Sequence, residues 1–281
     1  MSTRRNSAKR QLVLNNVQVQ KKKRQQMTIE SFWSPLASIR ISPPIATLML
    51  GHDILPAGAE VLLQTPKTVV WCIRDFDSKH SYKDFVHLPL VSRPEVQLRA
   101  GKKGNANRDA AMYFLRDLQA LETNEDTSDL ALKSHIYKDV LIRPSKDNTQ
   151  QEIDSMKATC SVGNACKSLV DYDFNGTYAN RYRDGNDCIG SHFDKEVRPG
   201  ELVISVAYGA TRIFRLRQKP SKKIVMDIEQ KSGMLICMTG WCQVEFKHEV
   251  PVQKKVLTPR ISLTFRRHAR LLPTYNDNQG E

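Results

Sequence analysis

The sequence predicts an α+β fold that is mainly β, and three observations predict it. From Thr177 onward, short strand-like stretches are punctuated by turn signals at Asp184-Gly185, Arg198-Pro199-Gly200, Lys219-Pro220 and Ser232-Gly233, the pattern of a β-sandwich or barrel. Arg260-Ile261-Ser262-Leu263-Thr264-Phe265-Arg266 alternates polar and apolar residues with the period of a strand. Ahead of this β-rich half, Ile153 to Leu169 reads as a helix.

The chain has 281 residues, 40% of them hydrophobic, and a net charge of +13. No run of about 18 apolar residues occurs, so no membrane-spanning helix is expected, and the polar, basic N-terminus lacks the apolar core of a secretory signal. The six cysteines (Cys72, Cys160, Cys166, Cys188, Cys237, Cys242) are scattered without a C-x-x-C pair. They suit a reducing compartment and argue against a disulfide scaffold or a zinc ribbon. Eight basic residues fall before the first acidic one, Glu30, and the rest of the chain is still positive. A polyanionic partner, nucleic acid above all, is the natural expectation.

Taken in order, residues 1–44 read as a disordered basic tail. Lys21-Lys22-Lys23-Arg24 is a cluster of the nuclear-import type, or a polyanion contact. Gln26-Met27-Thr28-Ile29-Glu30-Ser31-Phe32-Trp33 resembles the peptide that docks on the sliding clamp PCNA. A 3₁₀ turn would bring Ile29, Phe32 and Trp33 onto one side, with Gln26 hydrogen-bonding beside them. The same residues would otherwise start a core helix capped by Thr28. Ser42-Pro43-Pro44 ends the linker, and residues 45–270 are expected to form the folded body, followed by a tail over 271–281. Within it, Val69 to Ile73 reads as a buried strand, Arg108 to Leu121 fits a helix or a strand equally, and Pro144 to Glu152 is a polar loop.

The stretch that carries chemistry is Ile189-Gly190-Ser191-His192-Phe193-Asp194-Lys195-Glu196. Residues two apart on an extended segment share a face, so His192 and Asp194 can point at one metal ion. His248 is the candidate third ligand, or else a surface histidine between Lys247 and Glu249. Two histidines and a carboxylate form the facial triad of non-haem Fe(II) sites. Arg260 and Arg266 lie on the polar face of the last strand. If that face lines a barrel rather than solvent, they can grip a dicarboxylate.

In this order the residues from Asn180 to Arg267 resemble the AlkB family of Fe(II)/2-oxoglutarate dioxygenases. Asn180-Arg181-Tyr182-x-x-Gly185 is similar to the family's N-x-Y-x-x-G strand, Val203 to Arg212 to its following strand and Gly turn, and Pro251 to Arg260 to the segment before its first arginine. Asn107-Arg108-Asp109 resembles a Pro-Arg motif of the nucleotide lid, with Asn in place of Pro, and Ser262 stands where the family usually has Asn. The resemblance implies a double-stranded β-helix (jelly-roll) core, with N-terminal helices and a nucleotide-recognition lid. It implies His192, Asp194 and His248 as iron ligands, and Asn180, Tyr182, Arg260 and Arg266 as contacts to 2-oxoglutarate, with O₂ as oxidant. Oxidative demethylation of alkylated DNA bases is the implied activity, with Glu196 reading the base and Tyr113 a candidate beside it. Arg215, Arg217, Lys219, Lys222 and Lys223, with no acidic residue between Glu201 and Asp227, form a hairpin expected to grip phosphates. A nuclear, monomeric repair enzyme bound to a PCNA-like clamp is the reading that follows. RNA or N6-methyladenine demethylation, a silent nucleic-acid-binding module and a protein hydroxylase are its rivals.

Overall fold

The computed structural model describes residues 55–97, 103–123 and 139–268. The Lys21–Arg24 cluster, the peptide with Gln26, Ile29, Phe32 and Trp33, and the tail over 271–281 lie outside the described residues. In chain order the elements are β1 (Glu60–Gln64), β2 (Val69–Ile73), a 3₁₀ turn (Tyr82–Phe85), β3 (Glu95–Gln97), β4 (Lys103–Asn105), β5 (Asp109–Phe114), α1 (Leu115–Thr123) and α2 (Gln150–Val170). There follow β6 (Gly176–Tyr182), β7 (Ile189–His192), β8 (Val203–Gly209), β9 (Arg212–Gln218), β10 (Ile224–Gln230), β11 (Leu235–Met238), the one-turn α3 (Cys242–Glu245), β12 (Phe246–Val250) and β13 (Arg260–Arg266).

The expected strand at Val69–Ile73 is present. The ambiguous stretch from Arg108 turns out to hold both periods: β5 is buried at every position, which removes alternation as a signal, and α1 begins directly after it. The predicted helix is α2. Thr149 caps it by accepting from the Glu152 backbone N–H while Glu152 reaches back, a reciprocal capping box. Asp171, in the left-handed region at φ 44°, ends it.

After α2 the chain passes back and forth between two antiparallel sheets. β6, β8, β11 and β13 enter a seven-stranded sheet of order β1-β2-β11-β8-β13-β6-β5, and β7, β9, β10 and β12 form a four-stranded sheet of order β10-β9-β12-β7. This winding is a jelly-roll, the double-stranded β-helix. β3 and β4 pair separately as a two-stranded ribbon.

Alternation along each strand divides the core. Val69, Trp71, Ile204, Val206, Ile261, Leu263 and Phe265 face outward into a cluster shared with Met156, Cys160, Val162 and Cys166 of α2. Val70, Cys72, Val203, Ile236 and Met238 face inward, where they meet Phe214, Leu216, Phe246 and Val250 of the smaller sheet. Burial of each large apolar side chain contributes about 1.5–3 kcal/mol, so the apolar side of β13 is committed to α2. Its polar side therefore lies inside the barrel, a choice that alternation alone left open.

Gly185 shows why the N-x-Y-x-x-G stretch ends as it does. Its N–H donates to the Val256 carbonyl at 2.7 Å and its carbonyl accepts from Gln253 N–H at 2.8 Å. A Cβ there would lie 1.8 Å from the Gln253 oxygen, so no side chain fits without displacing the segment that leads to β13. Gln253 is itself held, its side-chain oxygen accepting from Ile213 N–H at 2.8 Å and from Arg212 Nε at 3.2 Å. Gly185→Ala is expected to destabilise the protein by about 2 kcal/mol, the range for overpacking, lowering Tm by roughly 6 °C. An unchanged melting curve would show that the loop adjusts freely.

Candidate active site

Between the two sheets lies a cavity of about 470 Å³, lined by residues of both. β6 contributes Tyr178, Asn180 and Tyr182, and β13 contributes Arg260, Ser262, Thr264 and Arg266. These two sets face each other across an antiparallel pair in which Asn180 opposes Ser262 and Tyr182 opposes Arg260. His192, Asp194 and Glu196 enter from β7 and the turn after it, and His248 from β12.

His192 and His248 are cross-strand partners, with ring centroids 4.3 Å apart. One ligand atom from each of His192, Asp194 and His248 falls within 4.8 Å of the others, close enough to share one ion. His192 Nδ1 lies 2.9 Å from the Gly190 carbonyl. A carbonyl only accepts, so the proton sits on Nδ1 and Nε2 keeps its lone pair. The His248 ring is stacked on Phe214. Burial, with His192 beside it, pushes the His248 pKa down to about 3, and burial lowers that of His192. Both rings are therefore neutral at neutral pH, the form that binds metal. Burial disfavours the Asp194 carboxylate, but the charge and hydrogen bond of the Arg266 guanidinium outweigh it and hold the group well below the usual carboxylate range.

Arg266 Nη1 contacts Asp194 Oδ1 at 2.5 Å, and its Nη2 contacts Glu196 at 2.9 Å. Asp194 Oδ2, equally buried, has no hydrogen-bond partner. The carboxylate is thus anchored by one oxygen and open at the other. Gln243 fixes the backbone of the same turn, its Oε1 accepting from Asp194 N–H at 3.0 Å.

Arg260 is 1% exposed, and burial brings its pKa down to about 10. One guanidinium nitrogen donates to Gln230 Oε1 at 2.5 Å, while Nε and Nη1 have no partner. Among the described residues no carboxylate pairs with it. A buried cation with open donors fits an anionic ligand, and a carboxylate satisfies it best. The donor sets therefore fit both a divalent metal and a dicarboxylate.

Arg108 lines the same cavity, donating from Nε to Asn180 Oδ1 at 2.6 Å. Tyr178 was legible in principle, since it precedes Asn180 by two residues on the same face. Gln230 and Gln243 carried no local signal, because each acts on a residue distant in sequence. Two expectations need correction. Tyr113 is fully buried with its hydroxyl on the Pro89 carbonyl, so it is a core residue and does not reach the cavity. The basic hairpin is not unbalanced, because strands adjacent in space bring the missing acids. Arg215 pairs with Asp227 at 2.6 Å, Arg217 with Glu249 at 2.8 Å, and Lys219 sits over the Phe193 ring while donating to the Gln243 carbonyl. Lys222 and Lys223 at the turn are exposed.

Residues 100–266 match the family model of the 2OG-Fe(II) oxygenase superfamily. A curated human relative, DNA oxidative demethylase ALKBH2, is 41% identical over 103 residues, 34% of this chain and 40% of that protein. The Bos taurus alpha-ketoglutarate-dependent dioxygenase alkB homolog 3 is 33% identical over 113 residues, 37% of this chain and 40% of that protein. The chain thus spans about two fifths of the length of these curated relatives. A solved prolyl hydroxylase from Trichoplax adhaerens, in complex with a hypoxia inducible factor peptide fragment, aligns over 72% of this chain and 84% of that one, with 11% identity and a TM-score of 0.42. With the family match covering more than half of the chain and enclosing β5 to β13, this protein belongs to the 2OG-Fe(II) oxygenase superfamily.

Proposed function

We propose that the protein is an oxidative demethylase of DNA bases, with Fe(II) and 2-oxoglutarate as its metal and co-substrate. The observation that carries the proposal is the pairing, in one cavity, of an open three-ligand cluster with a buried arginine whose donors lack partners. His192, Asp194 and His248 would hold the iron. Arg260 would take the distal carboxylate of 2-oxoglutarate, with Asn180 and Tyr182 beside it, and Arg266 would stand by the end nearest the metal. The bound iron would supply O₂ activation coupled to decarboxylation of 2-oxoglutarate, so that an N-methyl group is hydroxylated and leaves as formaldehyde. The names of the two curated relatives support this reading, since one is a DNA oxidative demethylase.

The cavity lies inside a barrel, so a base must leave its stack to reach it. N1-methyladenine and N3-methylcytosine are cationic, and Glu196, projecting into the cavity beside Arg266, would favour them over uncharged bases by Coulomb attraction. Exposed Lys195 at the cavity, with Lys222 and Lys223 at the β9–β10 turn, would meet phosphates. Arg215, Arg217 and Lys219 would shape that turn rather than bind DNA directly. The Lys21–Arg24 cluster and the peptide with Gln26, Ile29, Phe32 and Trp33 extend the proposal to a nuclear enzyme held on a PCNA-like clamp.

The test is formaldehyde release from an oligonucleotide bearing N1-methyladenine or N3-methylcytosine, with Fe(II), ascorbate and 2-oxoglutarate. Release that requires 2-oxoglutarate is expected. Release from methylated RNA alone would transfer the proposal to RNA, and no release from either would overturn it.

A further inference from the structure

We infer that Gln230 is a positioning residue for the co-substrate: it holds Arg260 with its open donors toward the cavity, and its neutrality leaves the guanidinium charge for an incoming dicarboxylate. The inference rests on the reading of Arg260 given above.

Gln230 ends β10, is fully buried, and does not line the cavity. Its amide is oriented from behind. Nε2 donates to the Ser205 carbonyl at 3.1 Å and to the Met234 carbonyl at 3.3 Å. Two acceptors at that end fix which atom is nitrogen, so Oε1 must face Arg260 Nη2, 2.5 Å away. Ser205 belongs to β8 of the larger sheet, so this side chain ties the last residue of the smaller sheet's edge strand to the barrel interior. The Tyr182 ring lies alongside, its centroid 5.2 Å from Arg260 Cζ. Together they confine a long, rotamer-rich side chain before any ligand arrives, which lowers the ordering cost of binding.

The chemistry of residue 230 matters as much as its place. A neutral carbonyl oxygen satisfies one donor and leaves the charge uncompensated. A carboxylate here would form an internal ion pair and compete with the ligand. An aliphatic side chain would orphan Nη2 and leave the guanidinium without its fixed contact.

The test compares Gln230→Leu and Gln230→Glu with the parent protein, by calorimetric titration in the presence of Mn(II). The two ligands are 2-oxoglutarate and 2-oxopentanoate, which lacks the distal carboxylate. Loss of one oriented contact should weaken 2-oxoglutarate about tenfold in Gln230→Leu, and a competing charge about a hundredfold in Gln230→Glu. Affinities for Mn(II) and 2-oxopentanoate should stay as in the parent. Equal loss of both ligands would make the residue merely structural, and unchanged 2-oxoglutarate affinity in the variants would also overturn the inference. Failure of the parent itself to bind 2-oxoglutarate would instead overturn the reading of Arg260, and the inference with it. Should one variant fail to fold, the other carries the comparison.

Discussion

His192→Ala is expected to yield a folded protein without the proposed activity, whereas Asp194→Ala is expected to lose activity and stability together. The two residues lie in the same cluster but are held differently. His192 is partly exposed, and its Nδ1 donates to the Gly190 carbonyl. Its removal leaves no buried group stranded, so the metal-free protein should melt as the parent does. Asp194 is buried and ion-paired with the equally buried Arg266. Truncating one partner of such a pair leaves a desolvated charge, at a cost of about 3 kcal/mol, the low end of the usual range because Glu196 still contacts the guanidinium. With two ligands left in either variant, formaldehyde release should fall by at least about a thousandfold, or roughly 4 kcal/mol of barrier. Thermal melts of the metal-free proteins and single-turnover assays decide the matter. Full activity in either variant would remove the residue from the metal site, and equal melting of both would remove the buried-pair argument.

The contrast marks what a linear sequence exposes. The H-x-D spacing and the alternation of β13 are local patterns that singled out residues now found on the cavity. Which face of β13 turns inward was decided by packing against α2, and His248 by its pairing with His192. The strands after Thr177 were legible because turn chemistry at Asp184-Gly185 and Ser232-Gly233 interrupts them at short intervals. β5 was not, because burial on both faces erases the period that distinguishes strand from helix. The basic hairpin misled for a related reason. Charge along the chain is a one-dimensional count, and Glu249, far from Arg217 in sequence, is its neighbour across two paired strands. Gln230 and Gln243 have no signature in the sequence, because a neutral amide side chain gives none until its distant partner, Arg260 or Asp194, is known.

Arg260→Met is expected to abolish useful 2-oxoglutarate binding and to leave the ligand-free protein at least as stable as the parent. The first half follows from the donors. Nε and Nη1 are without partners, and charge-assisted bonds to a carboxylate contribute roughly 1.5–3 kcal/mol each, so affinity should fall by about a hundredfold or more. The second half follows from the burial of the same group. Holding Arg260 charged with a pKa of about 10 against the usual 12.5 costs on the order of 3 kcal/mol. Methionine, of similar length and apolar, relieves that cost, while the orphaned Gln230 oxygen returns only about 1–2 kcal/mol of it. Ligand-free thermal melts should therefore show no loss, and the parent should gain a 2-oxoglutarate-dependent rise in Tm that the variant lacks. A residue retained for packing would behave in the opposite way, destabilising on removal with ligand binding spared. Stability that is kept or gained while binding is lost is the mark of a charge buried to meet a ligand.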